Sequence, residues 1–463
     1  MQFRKQISEA REQMVEAAQA LIRIPSVQAE PQGDMPFGKG MNEALVYVLR
    51  LAEKLGLPVK NLDGYCGYAE VGEGELYVGI FSHVDVYAEE SSTWKYGLYD
   101  GEIEDNKIYG NGALDKGALV AALFGLKAVK DLGIPLRKKI RFFVGTDEGK
   151  RYADIARYLS EEKPPLAGFT TDGYFPVVYA EKGIAMLEYE KKIPQDSEEF
   201  VEYIRGGVSE NIVPGYCRAK LRTSRRSELV ASLTSYAREN RKDLNAKILE
   251  DGVLIESFGV EFHCMAIEKG LNSVAQMIDF LDSVRFGSPT LQETLHFLND
   301  AIGFEIYGES LGIAQEDNFS GRLTFNIGLF KFEKGKMHLR CDCRFPIICN
   351  FEQTTRTLRE KFSGAGFTET EYRYWNPTYL PRNHFLIETL LDVYRRVTRD
   401  DSEPLVSSCI SYATEMPNVA AFGAIFPGER EINYQANEYI DIDKMLLASE
   451  IYAEAAYRLA TEL

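Results

Sequence analysis

The sequence predicts an α/β protein in which a mostly parallel sheet is flanked by helices and carries an inserted α+β lid domain. Two observations predict it. Helical and strand periods alternate from about Asn42 to Gly133, with connections long enough for crossovers between parallel strands. A mixed, strand-rich stretch then interrupts that style, which returns after the aromatic run YRYWNPTYLPR. At 463 residues the chain exceeds one compact core. The expected parts are 1–181 for the first piece of the main domain, 182–374 for the insert and 375–463 for the second piece of the main domain.

The elements follow in order. MQFRKQISEAREQMVEAAQALIRI reads as an amphipathic helix and lacks the apolar core and cleavage signal of a secretory peptide. MNEALVYVLRLAEKLG aligns Ala44, Leu45, Val48, Leu51, Ala52 and Leu55 on one helical face, and the strand ELYVGIFSHVDV follows. GALVAALFGLKAVKDLG is a helix stopped by Gly133, followed by the strand KKIRFFVGTDE. In the insert, KGIAMLEYEKKI and KMHLRCDCRFPI read as strands and ELVASLTSYARENRK as a helix. The chain closes on the helical DIDKMLLASEIYAEAAYRLATEL.

Composition narrows the function classes. Hydrophobic residues make up 45% and charged residues 27%, the profile of an ordinary soluble globular protein. A net charge of −17 argues against a large nucleic-acid or anionic-membrane surface, so the expected partner is a small molecule. No apolar run approaches the ~18 residues of a membrane span. The seven cysteines are odd in number and contain no CxxC pair, which fits reduced thiols and a cytoplasmic protein.

Open sheets of this kind bind ligands at the carboxyl ends of their strands, and FSHVDV and VGTDEGK both lie at such ends. His83 and Asp85 share one strand face, so Asp85 can accept a hydrogen bond from one ring nitrogen while the other points at a metal. Taken alone, such a pair is more often a surface pair or a satisfied core histidine than a metal ligand. Asp115 lies in a glycine-bracketed turn before a helix, where the plain reading is an N-cap. Glu148, beside Asp147, ends the strand RFFVGTDE, where an ionised carboxylate could act as a general base. Asp172 in GFTTDGYFPVVYAEKG could equally be an Asx-turn residue.

Taken in order, FSHVDV, WKYGLYDGEIEDNKIYGNGALDKGALVAAL, VGTDEG and TDGYFPVVYAEKG resemble the zinc-dependent aminoacylase, carboxypeptidase and dipeptidase superfamily, and within it the PepV-type dipeptidases. NIVP, FHCMAIEKGLNSV and CRFPI in the insert, and AAFGAIFPG and YQANEYI near the end, extend the likeness over nearly the whole chain. The resemblance implies a catalytic domain with a lid, and two zinc ions sharing one bridging aspartate. It places one ion on His83 and Asp172 with Asp115 as the bridge, makes Glu148 the general base and has Asp85 orient His83. From the lid it implies His263 at the substrate carbonyl with Asn211 and Arg344 as substrate contacts, and from the C-terminal part Gly428.

The chain departs from that pattern in three places. Gly149 and Tyr434 stand where the second ion's own carboxylate and histidine ligands belong, and neither glycine nor an ordinary phenol ligates well at neutral pH. Asn433, Glu429 or Glu431 could lie close enough to substitute. The third departure is that Asp115 is followed directly by Lys116, one residue short of the family spacing. Sliding the register would put Leu114 at the ligand position, and the cis peptide that the family has after this aspartate is placed in doubt. Asp115 is preferred because it retains a carboxylate.

The resulting expectation is a monomeric metallohydrolase that cleaves a dipeptide or an N-acyl amino acid with one ion retained, zinc or alternatively manganese or cobalt. The alternative is a non-catalytic relative that binds a peptide or amino-acid derivative in the same cleft.

Overall fold

Four strands run parallel through the middle of the larger sheet: Lys139–Gly145, Tyr77–His83, Gly168–Thr170 and Val419–Ala421. The computed structural model describes residues 3–88, 94–194, 200–284, 288–430, 432–433 and 435–463. The chain divides into two units. One comprises Met1–Ala180, Thr378–Val406 and Ile410–Leu463, and the other Glu181–Pro377 with Ser407–Cys409.

In the first unit the antiparallel pair Val59–Leu62 and Cys66–Val71 extends the sheet beyond Lys139–Gly145. Strand Tyr77–His83 is buried along its whole length, which explains its unbroken apolar run, since a parallel strand covered on both faces has no polar side. Helices Ala113–Leu132 and Ile442–Glu462 pack on each other and on that strand. Their close approach requires Gly125, where a Cβ would lie 2.9 Å from the Ser449 carbonyl oxygen. The N-terminal segment differs from the single helix expected. It forms Arg4–Glu9 and Arg11–Ile22, broken at Ala10, whose N–H is shared between the Gln6 and Ile7 carbonyls in a tightened last turn.

The second unit is built on eight strands, every neighbouring pair antiparallel, in the order Leu244–Ile248, Gly252–Phe258, Tyr216–Arg222, Phe200–Gly206, Thr324–Glu333, Lys336–Phe345, Gly183–Lys192 and Thr368–Trp375. Helices Arg226–Asn240, Ser273–Ser283, Pro289–Ala301 and Phe351–Gly364 pack against it around a core of its own. Burial alternates along Tyr216–Arg222, so one sheet face is apolar and the other polar. No helix among the described residues is long and apolar enough to cross a membrane.

Candidate metal centre

The parallel strands deliver the site. His83 ends Tyr77–His83, Glu148 follows three residues after Lys139–Gly145, and Asp172 two residues after Gly168–Thr170. Because these strands are neighbours running the same way, their carboxyl ends bring the three side chains to one edge. Asp115 arrives from another direction, in the first turn of helix Ala113–Leu132. The N-cap of that helix is Gly112, at φ 70°, so the reading of Asp115 as a cap is set aside. Gly112 suits this position, since a Cβ there would lie 2.2 Å from Val86 Cγ1. Among the described residues the cis peptides are Phe175–Pro176 and Gly423–Ala424, and none follows Asp115.

His83 Nδ1 lies 3.1 Å from Asp85 Oδ1, which also accepts the Glu148 N–H at 3.3 Å. With Nδ1–H directed at Asp85, a neutral ring keeps its lone pair on Nε2. That Nε2 is buried, has no hydrogen-bond partner and lies 3.9 Å from Asp172 Oδ2. Ligand-capable atoms of His83, Asp115 and Asp172 all lie within 4.8 Å of one another. The alternative register, with Leu114 at the ligand position, offers no such donor.

Charge at this edge is lopsided. Burial, reinforced by the charge of Asp172, pushes the Asp115 carboxyl up to about 7 and the Glu148 carboxyl well above the usual range. Burial also raises Asp172. For His83 burial opposes the charged ring, but Asp85 and then Asp115 and Glu148 outweigh it and lift its pKa. Burial works against the Asp85 carboxylate too, and His83 more than compensates, so Asp85 titrates low. Four carboxyl groups thus crowd one imidazole whose outer nitrogen has no partner. A divalent cation fits both the excess negative charge and the orphaned donor atom.

The place expected for a second ion looks different. Gly149 has φ +67° and no side chain, and a Cβ there would lie 3.5 Å from Tyr87 Oη. Of the residues considered as replacements, Glu429 accepts the Lys444 ammonium and the Phe426 N–H. Asn433 Oδ1 is buried without a partner. Tyr434 and Glu431 lie outside the described residues. Gly428 turns the chain at φ +79° with open space where a Cβ would be.

In the second unit the strands Ile212–Val213 and Phe262–His263 pair and bring Asn211 beside His263, with 3.3 Å from Asn211 Nδ2 to His263 Nε2. Burial and then the Arg344 charge hold His263 well below its ordinary pKa, so the ring is neutral. Its Nδ1 accepts the Met265 N–H at 3.3 Å. Arg344 belongs to an interior strand and is 1% exposed. Its Nε donates to Asp342 Oδ1 and its Nη2 to Asp342 Oδ2, both at 3.0 Å, and its Nη1 donates to the Ser408 carbonyl at 2.6 Å. Only part of the guanidinium fork is left for another anion. A further grouping on this unit, Glu188, Glu190 and His338, is tied into ion pairs with Arg340 and Lys336.

Sequence pattern alone missed Tyr152, whose hydroxyl donates to Glu148 Oε1 at 3.2 Å, and Asp154. Asp154 Oδ2 accepts the Thr146 and Asp147 N–H groups and the Tyr412 hydroxyl, holding the loop under Glu148. The hydroxyl of Tyr412 comes from far along the chain, and no local signal marks it.

Residues able to hold a metal, gathered at the carboxyl edge of a parallel sheet in a chain that also carries a separate antiparallel unit, fit the class of metallopeptidases. Residues 79–458 match the model of peptidase family M20/M25/M40, and the chain belongs to that family. It is 30% identical over 468 residues to "Putative dipeptidase YtjP" of Bacillus subtilis (strain 168), covering 99% of this chain and 100% of that one. It is 28% identical over 472 residues to a "Putative dipeptidase" of Staphylococcus epidermidis (strain ATCC 12228 / FDA PCI 1200), with 99% and 100% covered. The fold matches that of a dipeptidase from Saccharomyces cerevisiae with a TM-score of 0.60 at 12% identity, covering 98% of each chain. An M20 family metallo-carboxypeptidase from Sulfolobus solfataricus matches with a TM-score of 0.58 at 17% identity, covering 96% of this chain and 98% of that one.

Proposed function

We propose that this metallopeptidase hydrolyses the amide bond of dipeptides or N-acyl amino acids with a single ion held by His83, Asp115 and Asp172. The observation that carries the reading is the buried, partnerless Nε2 of His83 with the carboxylates of Asp115 and Asp172 around it. A divalent ion held there, zinc or alternatively manganese or cobalt, supplies Lewis acidity for activating water and polarising a carbonyl.

The chain's own residues do the rest. Asp85 fixes the ring and tautomer of His83. Glu148 takes a proton from the attacking water and returns it to the departing amine nitrogen. His263, with a neutral ring, is assigned to the scissile carbonyl, and Asn211, Arg344 and Gly428 are assigned as substrate contacts. The relatives named dipeptidases support a peptide substrate for this chain.

Metal analysis of purified protein tests the reading. About one ion per chain, lost in His83→Ala, is expected, together with hydrolysis of unblocked dipeptides such as leucyl-glycine or of N-acetyl-methionine. Two tightly bound ions overturn the single-ion assignment. A loaded protein that binds these compounds without cleaving any of them supports a non-catalytic binder instead.

A further inference from the structure

We propose that Tyr152 is a positioning residue for Glu148, its hydroxyl gripping one carboxylate oxygen so that the other is presented for proton transfer. The inference rests on Glu148 being the general base. Tyr152 Oη lies 3.2 Å from Glu148 Oε1, with Tyr152 2% and Glu148 6% exposed, so bulk water hardly competes for that bond.

The backbone is held in a costly shape to place this hydroxyl. Tyr152 has φ +52°, a left-handed conformation that is unfavourable for a non-glycine residue. Its N–H donates to the Asp147 carbonyl at 3.2 Å, and its own carbonyl accepts the Ala156 N–H at 3.0 Å as helix Ala153–Leu159 begins. The ring edge packs on Tyr412 at 5.8 Å between centroids. Asp147 Oδ2 takes the Ala153 N–H at 3.0 Å, and Asp154 ties down the start of the loop. These contacts would all survive a phenylalanine at 152. The hydroxyl is what reaches a reacting group, and a strained residue beside a reactive site invites a functional reading.

The chemistry needs such a donor. Glu148 is 6% exposed, so bulk water does little to orient its carboxylate. An O–H donated to Oε1 stabilises the carboxylate and occupies that oxygen, leaving Oε2 to accept the water proton. The Tyr152 proton stays on its own oxygen throughout.

The test uses full-length, zinc-loaded protein and whichever of the compounds above is cleaved fastest. Tyr152→Phe is expected to lower kcat about tenfold or more, the loss typical of one hydrogen bond to a charged group. KM and bound metal are expected to stay at wild-type values. Combined with Glu148→Gln, Tyr152→Phe is expected to lower the residual rate no further. An unchanged kcat in Tyr152→Phe overturns the proposal, as does a loss that multiplies that of Glu148→Gln or appears chiefly in KM or metal content. If Glu148→Gln itself keeps full kcat, the base assignment fails. If Glu148→Gln is inactive while Tyr152→Phe is normal, only the role of Tyr152 fails.

Discussion

At the scale of single residues, the site is governed by which polar atoms burial leaves without partners. His83 Nε2 is one such atom, and a cation nearby would give it a partner. His263 is governed by the same rule with the opposite outcome, since burial and Arg344 keep its ring neutral. Its folded pKa is depressed below the unfolded value near 6.5. As pH falls through that value the unfolded chain takes up a proton that the folded chain refuses, so His263 favours unfolding at acid pH and is silent above neutrality. Denaturant titrations of wild type and His263→Asn at pH 5 and pH 8 check this: the variant is expected to lose less stability at the lower pH. Gly149 carries another expectation. Placing Glu or Ala at φ +67° is expected to cost about 1–2 kcal/mol of unfolding free energy by urea titration. Any second-ion binding gained by Gly149→Glu together with Tyr434→His is therefore to be read against Gly149→Ala.

Elements matter here for where they end and how closely they approach. Three neighbouring parallel strands stop at one edge, and that alone brings His83, Glu148 and Asp172 together. Asp115 depends instead on helix Ala113–Leu132, fixed against Ile442–Glu462 through Gly125. Gly125→Val puts side-chain carbon against the Ser449 carbonyl and the Ala453 backbone, and is expected to destabilise by about 1–3 kcal/mol as the helices part. Metal affinity measured on the same variant is expected to fall with it, because Asp115 moves with its helix. The alternation of strand and helix periods was legible as a parallel sheet because buried strands need unbroken apolar runs. The break at Ala10 was not, because the residues on either side keep one helical pattern and only a local hydrogen-bond choice divides them.

On the scale of the whole molecule, the two units each have their own sheet, and the two tryptophans report on them separately. Trp94 belongs to the first unit and Trp375 to the second. In Trp375→Phe, with Trp94 as reporter, removing metal with a chelator is expected to lower the urea midpoint, since an ion bound only by folded protein stabilises the unit that holds it. In Trp94→Phe, with Trp375 as reporter, the midpoint is expected to hold. Equal shifts in both variants mean that the units unfold as one cooperative body.

The sequence by itself determined the fold class, the family and the order of the residues that could bear chemistry, because hydrophobic period and motif order are written along the chain. It could not decide whether Asp115 caps its helix or joins His83 and Asp172, nor that Arg344 is largely engaged by Asp342. Nor could it reveal that a tyrosine four residues past Glu148 turns back to grip its carboxylate. Those outcomes depend on distances between separate segments and on the burial that raises or lowers each charge, and both arise only when the chain has folded.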